Sequence, residues 1–108
     1  MEGLWSVAFS TPAGAGYGVV FFTSEVDFCG GDSAFYWTGS FTTKSGHASV
    51  NLKGHSHSGR PAASVLGMSV ADFDVSLEGD LPASAGVGDS MKVSGPNGLV
   101  ATLTRRPL

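Results

Sequence analysis

Charged side chains are scarce in this chain. Asp, Glu, Lys and Arg together make up 14% of its 108 residues, against about 25% in an ordinary globular domain. Six basic residues face nine acidic ones, for a net charge of −3, so the chain lacks the basic surface that nucleic-acid binders carry. The composition also disfavours a helical bundle, which would be rich in Glu, Lys, Ala and Leu. Hydrophobic residues still reach 42%, which supports a buried core and excludes a disordered chain.

Cysteine and long apolar runs are also nearly missing. Cys29 is the single cysteine, so no intramolecular disulfide can form, as is typical of a reducing compartment. The longest strongly apolar run covers residues 18–22, far too short to cross a bilayer. The chain starts Met1-Glu2 and has no Lys or Arg before Lys44, unlike a secretory signal. We therefore expect a cytoplasmic protein with neither a membrane nor a nucleic acid as its partner.

Helical periodicity is absent too, and alternation with period two takes its place. Glycine, at 16 residues, marks the turns between the alternating segments. We expect a polar loop from Gly54 to Pro61 and either a short helical turn or an irregular crossing from Ala62 to Gly67. Pro96-Asn97-Gly98 is typical of a hairpin turn. The pattern predicts eight short strands around residues 4–10, 17–23, 26–28, 35–42, 48–53, 72–78, 91–93 and 99–103.

Eight short strands in one sheet must protect their edges, and closure into a barrel removes the edges entirely. Gly18, Gly39 and Gly79 lie inside predicted strands, where glycine lets a strand bend sharply. These glycines favour a barrel over the alternative, a two-layer sandwich. The sequence thus predicts that residues 1–108 form a single all-β domain, an antiparallel eight-stranded β-barrel with little or no helix.

A set of short motifs runs along nearly the whole chain: Gly3–Ser10, Gly16–Val20, Gly30-Gly31-Asp32 followed by Phe35–Gly39, Phe73–Gly79 and Leu103–Arg105. The set resembles the bacterial GrlR-like family, named for the negative regulator of a type III secretion system. The resemblance implies a small lipocalin-like barrel of the calycin type that forms a homodimer and binds a protein partner as a non-enzymatic regulator of transcription or secretion. It also implies that Trp5 closes the base of the barrel and stacks on Arg105 or Arg106.

One part of the chain departs from that family. The namesake regulator holds its partner through an acidic surface loop, whereas the corresponding stretch here, Thr42–Ala48, contains Lys44 and no acid. The identity of that partner is therefore not carried over to this chain.

Aromatic residues supply the candidates for a binding site inside the barrel. An eight-stranded barrel is just wide enough for side chains or one small ligand, so these rings either fill the interior or leave a pocket for an apolar molecule. The alternative function is therefore that of a carrier or sensor of a small apolar ligand. The ligand-lining candidates are Trp5, Phe9, Phe21, Phe35, Trp37 and Phe41.

The second predicted strand is apolar on both faces. Only one face of a barrel wall points inward, so either Val19 and Phe21 or Val20 and Phe22 must lie outside. We predict that Val20 and Phe22 form the outer patch. An exposed apolar patch usually marks a partner surface, so these two residues are the candidate dimer or partner surface. A second copy of the chain is the simplest partner.

Two histidines and two aspartates are the main candidates for metal binding or acid/base chemistry. His55 and His57 would lie on one side of an extended strand, with Cβ atoms roughly 6.5–7 Å apart, and could share a metal with Asp72 or Asp74 as a third ligand. A solvated loop is the more ordinary interpretation of the histidines, so no metal or other cofactor is predicted. Asp72 and Asp74 fall on the outer face as solvated charges, and no catalytic residue is assigned.

The segment around the cysteine has a structural interpretation. No histidine lies near Cys29 in the sequence to activate its thiol, so a buried structural cysteine is expected. Gly30 and Gly31 should form a turn with positive φ, in which the Asp32 carboxylate accepts backbone N–H groups.

Overall fold

Alternating inward and outward side chains build the chain into strands, as shown by a computed structural model that describes residues 1–82 and 86–108. A 3₁₀ turn at Pro96–Gly98 is the only helical element among these residues. The strands are β1 (Gly3–Thr11), β2 (Gly14–Phe22), β3 (Asp27–Gly31), β4 (Phe35–Lys44), β5 (His47–Ser56), β6 (Ala62–Ala63), β7 (Ser69–Val70), β8 (Asp72–Asp80), β9 (Ser90–Ser94) and β10 (Val100–Arg105).

Eight of these strands close into a barrel, and β6 and β7 form a separate short hairpin. Around the barrel the order is β1, β2, β3, β4, β5, β8, β9 and β10, and β10 pairs again with β1. Every neighbouring pair is antiparallel. Each barrel strand therefore follows its neighbour along the chain, in an up-and-down arrangement. The predicted eight-stranded antiparallel barrel is confirmed.

The core fills the barrel with one face of each strand. On β8, for example, Phe73, Val75 and Leu77 are buried while the residues between them are exposed. Glycine is required where two strands approach closely. A Cβ at Gly39 would overlap the carbonyl oxygen of Asn51, and one at Gly79 would overlap the carbonyl oxygen of Lys92. Side chains at these positions would push the wall of the barrel apart.

The turns at the ends of the strands agree in part with the sequence predictions. Asn97 and Gly98 adopt φ angles of 58° and 73°, so the predicted turn between the last two strands is confirmed. The third strand begins at Asp27, which leaves Val26 outside it.

Two predicted irregular segments contain strand structure instead. The expected loop from Gly54 to Pro61 is wrong at its start, because β5 continues to Ser56. Gly54 faces inward, and a Cβ there would overlap the Phe73 ring. From Ala62 to Gly67 the chain forms β6 and then turns, and Val65 in this turn is only 3% exposed. The sequence shows no periodicity there, so the burial of Val65 was not predicted.

Candidate functional site

The direction of the side chains on β2 decides which residues lie on the outer surface. Val20 and Phe22 are 4% and 2% exposed, whereas Val19 and Phe21 are 49% and 37% exposed. The predicted outer patch of Val20 and Phe22 is therefore wrong, and the alternate pair lies outside. The reason is the register: β1 and β2 pair so that Val20 lies opposite Trp5, which points into the core. Directly opposed residues of antiparallel strands share a face of the sheet.

Because this register places Phe21 on the outer face, Phe21 does not line the interior of the barrel. Four of the other candidates, Trp5, Phe35, Trp37 and Phe41, are at most 2% exposed. The sixth candidate, Phe9, is half-buried. Burial inside the barrel is confirmed for Trp5, Phe35, Trp37 and Phe41 and wrong for Phe21. Of the six ligand-lining candidates, Phe9 and Trp37 line the apolar cavity inside the barrel.

A continuous outer surface formed by uncharged residues covers the central part of β1 to β4, between Asp27 of β3 and Lys44 of β4 at one end and Arg106, which donates to Ser6, at the β1 edge. Pairing aligns its residues in rows across the strands: Leu4 lies beside Phe21, Phe21 beside Cys29, and Cys29 beside Thr38. None of these residues is Asp, Glu, Lys, Arg or His. We call this surface the uncharged wall, and it consists of Leu4, Ser6, Ala8, Tyr17, Val19, Phe21, Cys29, Tyr36 and Thr38.

Cys29 lies within the uncharged wall, so the expectation of a buried cysteine is wrong. Its thiol is free and exposed, while the preceding Phe28 is 5% exposed and points into the core. Alternation along β3 turns successive side chains to opposite faces. A buried Phe28 therefore fixes Cys29 on the outside.

The two histidines meet at the edge of the uncharged wall. The ring of Tyr36 lies 5.2 Å from that of His55 and 5.9 Å from that of His57, measured between centroids. The predicted placement of both histidines on one side is confirmed. Nδ1 of His55 lies 2.7 Å from Oδ1 of Asp72, and Nε2 of His57 lies 3.1 Å from the carbonyl oxygen of Asp32.

A metal is not supported by that arrangement. In residues 1–82 and 86–108, no group of three or more His, Cys, Asp or Glu side chains is placed to hold a metal ion. Asp74, the other proposed ligand, accepts a hydrogen bond from Nδ2 of Asn51 at 2.9 Å. Asp72 and Asp74 are both exposed on the outer face of β8, as alternation predicts.

The turn after β3 has the predicted aspartate contacts. Oδ1 of Asp32 accepts hydrogen bonds from the backbone N–H groups of Ala34 and Phe35, both at 2.8 Å. The expected positive φ at the two glycines is wrong, because both lie in the extended strand β3. Gly30 is needed for space instead, since a Cβ there would overlap the carbonyl oxygen of Val19.

Inside the barrel lies an apolar cavity of about 50 Å³. Phe9 and Trp37 line it, and so does Val65 from the turn after β6. The remaining lining residues are Val7, Val20, Phe22, Phe28, Val50, Leu52, Leu77, Val93, Leu99, Ala101 and Leu103.

Trp5, near the start of β1, is fully buried. Its indole N–H donates a hydrogen bond to the carbonyl oxygen of Met1 at 2.9 Å. The guanidinium carbon of Arg105 lies 5.5 Å from the centre of the Trp5 ring, within the range of a cation–π contact. Arg106 instead donates from Nε to Oγ of Ser6 at 2.7 Å. Of the two arginines expected to stack on Trp5, Arg105 does so.

Comparison with protein-family models and with curated proteins found no match to this chain. Within the described residues, no helix has the length and hydropathy needed to span a bilayer.

Proposed function

We propose that the protein is a non-enzymatic cytoplasmic barrel that forms a homodimer through the uncharged wall and binds a partner protein in that form. The observation that carries the proposal is the exposure of four large side chains on that wall. Tyr17 is 81% exposed, Val19 and Tyr36 are each 49% exposed, and Phe21 is 37% exposed.

These side chains have the character of an interface. Contiguous apolar patches are rare on monomeric soluble proteins and usually mark a site of interaction. Tyrosine and phenylalanine are also enriched at interfaces, where the rings supply contact area, and charged residues are depleted at interface centres. The uncharged wall combines both properties.

The distribution of charge favours a second copy as the occupant. The chain carries a net charge of −3, and the outer face of β8 presents Asp72, Asp74, Glu78 and Asp80. Two copies that met through β8 would bring like charges together, which opposes association. The uncharged wall has no such repulsion. A two-fold axis would place the same patch on both partners.

The size of the wall suggests a dimer of modest affinity. Strands 4.8 Å apart with a rise of 3.3 Å per residue give the wall, which spans five residues on β1 and β2, a projected area of roughly 300 Å² per copy. A standard interface covers about 800 Å² of accessible surface on each partner. We therefore expect a dimer that forms at protein concentrations on the order of tens of micromolar.

The remaining parts of the proposal have separate support. The family resemblance supports a partner protein and a regulatory role. The free thiol of Cys29 supports the cytoplasmic location, since a reducing compartment keeps exposed thiols reduced.

Sedimentation equilibrium of the wild type and two glutamate variants tests the homodimer. Phe21→Glu places a carboxylate in the uncharged wall, and its association constant should fall at least tenfold because the charge loses its water without a partner. Ser76→Glu is the matched control, because Ser76 is exposed on β8, on the opposite side of the barrel. It should leave the association constant unchanged within about twofold.

The single cysteine provides a second measurement. Cys29 lies in the uncharged wall, so its alkylation by iodoacetamide should slow as the wild-type concentration rises, and should not slow for Phe21→Glu. A wild type that stays monomeric at a few hundred micromolar, or a Ser76→Glu variant that dissociates as readily as Phe21→Glu, would show that the wall does not form a homodimer.

A further inference from the structure

The two sides of β8 are paired to different extents. On one side, β5 pairs with β8 along its whole length, from Asp72 to Asp80. On the other side, β9 pairs with β8 only at Glu78 and Gly79 among the described residues. The edge of β8 before Glu78 therefore has no partner strand on the β9 side.

Pro96 explains where this pairing stops. Continued by two residues, the register of β8 and β9 would set Pro96 opposite Ser76. Proline has no N–H to donate to a neighbouring strand, and the 3₁₀ turn at Pro96–Gly98 leads the chain into β10 instead. The sequence of this turn thus leaves the first half of β8 open on one side.

The backbone groups on the open edge belong to the even-numbered residues of β8. In an antiparallel strand, the N–H and C=O groups of successive residues point alternately to the two neighbours. Ser56 of β5 donates its N–H to the carbonyl oxygen of Ala71 at 2.8 Å, so odd-numbered residues point to β5. A Cβ at Gly95 would lie 3.1 Å from the carbonyl oxygen of Ser76, which places that carbonyl on the β9 side.

Asp72 and Asp74 present the free groups farthest from β9. In residues 1–82 and 86–108, no hydrogen bond reaches the backbone N–H or C=O of either residue. Both residues are exposed. An open strand edge is a template on which an extended peptide can add as a further strand.

The carboxylates of the same two residues determine which peptide fits. Oδ1 of Asp72 lies 2.7 Å from Nδ1 of His55, and Oδ1 of Asp74 accepts a hydrogen bond from Nδ2 of Asn51 at 2.9 Å. Both contacts come from β5, and the Asp72 side chain is still 72% exposed. Side chains of an added strand that lie directly opposite Asp72 and Asp74 share their outer face. Lysine or arginine at those positions would be attracted, and an acid would be repelled.

The edge does not suit a second copy of the chain, because two β8 strands would bring carboxylates against carboxylates. Between the two aspartates the strand is apolar on its inner face, where Phe73 and Val75 are 9% and 4% exposed. We propose that the open edge of β8 binds an extended segment of a partner protein in which lysine or arginine alternates with apolar residues. This inference rests on the proposed function for the existence of a partner protein, and it gives that partner a surface away from the uncharged wall.

Hydrogen exchange of single amides, followed by NMR with a short blocked peptide of alternating lysine and valine, tests the site. In the free protein, the amides of Asp72 and Asp74 should exchange rapidly, whereas those of Phe73 and Val75, which point to β5, should exchange slowly. The bound peptide should slow exchange at Asp72 and Asp74 at least about tenfold, because their N–H groups become hydrogen-bonded. Exchange at Phe73 and Val75 should not change.

Methylation of peptide nitrogens separates strand addition from a contact between charges alone. In the added strand, the lysine N–H groups point to β8 and the valine N–H groups point away from it. N-methylation of two inner lysines should therefore weaken binding at least about tenfold, while N-methylation of two valines should leave it unchanged within about twofold. A peptide of alternating glutamate and valine should not bind.

Variants of the protein assign the charge and separate this site from the homodimer. Asp74→Asn should weaken binding of the lysine peptide about threefold. Asp27→Asn is the matched control, because it removes the same charge from an exposed position on β3, and it should not change binding. Phe21→Glu should bind the peptide as the wild type does even where it loses the homodimer, so either proposal can fail without the other.

The proposal is wrong if the amides of Asp72 and Asp74 exchange as slowly in the free protein as those of Phe73 and Val75, since the edge would then be closed. It is also wrong if the lysine peptide at millimolar concentration does not protect them. Equal binding of the two N-methylated peptides would overturn it as well, because the contact would then be one of charges without an added strand.

Discussion

Strands β2 and β8 lie on opposite sides of the barrel, with three strands between them in either direction, and they differ mainly in what they show to solvent. Both are nine residues long and alternate between the two faces. The outer face of β2 carries Tyr17, Val19 and Phe21, whereas that of β8 carries four carboxylates and one serine.

The comparison separates the requirements of the fold from those of the surface. Alternation and an apolar inner face suffice to close the barrel, and both strands meet that requirement. The carboxylates of β8 keep its surface hydrated and discourage association. Nothing in barrel closure requires large apolar residues on the outside of β2. Their presence there is the feature that the proposed homodimer explains.

The largest expected effect comes from placing a glutamate in turn at two neighbouring positions on β2. Phe22→Glu buries a carboxylate in the core and removes a ring that packs against those of Phe28 and Phe41. It should cost about 4 kcal/mol or more, enough to unfold much of a small domain. Phe21→Glu, one residue away on the outer face, should change the unfolding free energy of the monomer by less than about 1 kcal/mol.

Urea denaturation monitored by circular dichroism measures both values. Similar losses in the two variants would contradict the assignment of the faces of β2. The comparison of β2 with β8 would then fail as well, because it depends on Phe21 being outside.

The next largest effect is expected at the turn between β3 and β4, which contains Asp32. Asp32→Ala leaves the N–H groups of Ala34 and Phe35 without their acceptor and should cost about 1–3 kcal/mol. Ser33→Ala is the matched control in the same turn, since Ser33 is exposed, and it should be neutral within about 0.5 kcal/mol. An Asp32→Ala variant with the wild-type melting temperature would show that these hydrogen bonds do not stabilise the turn.

Two glycines on the inner face of β2 give a smaller effect. A Cβ at Gly18 would lie 2.6 Å from the carbonyl oxygen of Gly31, whereas one at Gly16 would lie 2.7 Å from the tip of the Phe9 ring. Backbone resists displacement more than a half-buried side chain does. Gly18→Ala should therefore cost about 1 kcal/mol after the gain in strand preference is counted. Gly16→Ala should cost less than Gly18→Ala in the same urea titration, and the reverse order would be inconsistent with the packing at this end of the barrel.

The sequence predicts the barrel because alternation, short strands and glycine-rich turns all indicate the same architecture. It does not predict which side chains of β2 point into the barrel. Residues 19–22 are apolar on both faces, so alternation does not show which pair lies inside. The missing information is the register. A two-residue turn at Pro12-Ala13 pairs Thr11 with Gly14 and so sets Val20 opposite Trp5, but the surrounding glycines made several turn lengths equally compatible with the sequence.

The candidate sites were less predictable for a related reason. The exposure of Cys29 follows from alternation once Phe28 is known to point into the barrel. By contrast, Val65 enters the barrel from a segment without periodicity. The indole N–H of Trp37 is buried without a hydrogen-bond partner in residues 1–82 and 86–108, and this depends on how side chains from several strands pack around it.

The smallest expected effect concerns the acid nearest to the end of β2. Glu25 lies in the turn after β2, and its Oε2 is 2.8 Å from the amino group of Met1. The hydrogen bond from that ammonium group, and then its charge, hold the pKa of Glu25 below the ordinary value of 4.5. On β8, Nε2 of His47 lies 3.6 Å from Oε1 of Glu78, and Nδ1 of His55 lies 2.7 Å from Oδ1 of Asp72.

A lowered folded-state pKa makes the contribution of Glu25 to stability present above its unfolded-state value, and the contribution is lost as the pH falls through the folded-state pKa. The difference in unfolding free energy between the wild type and Glu25→Gln should therefore be largest near neutral pH and vanish in acid. It should be small, because the Glu25 side chain is 71% exposed and exposed ion pairs are screened. Carbon-13 titration of the carboxyl group measures the pKa directly, and acetylation of the Met1 amino group should return it toward the ordinary value. An unchanged pKa after acetylation would mean that the Met1 ammonium group does not lower the pKa of Glu25.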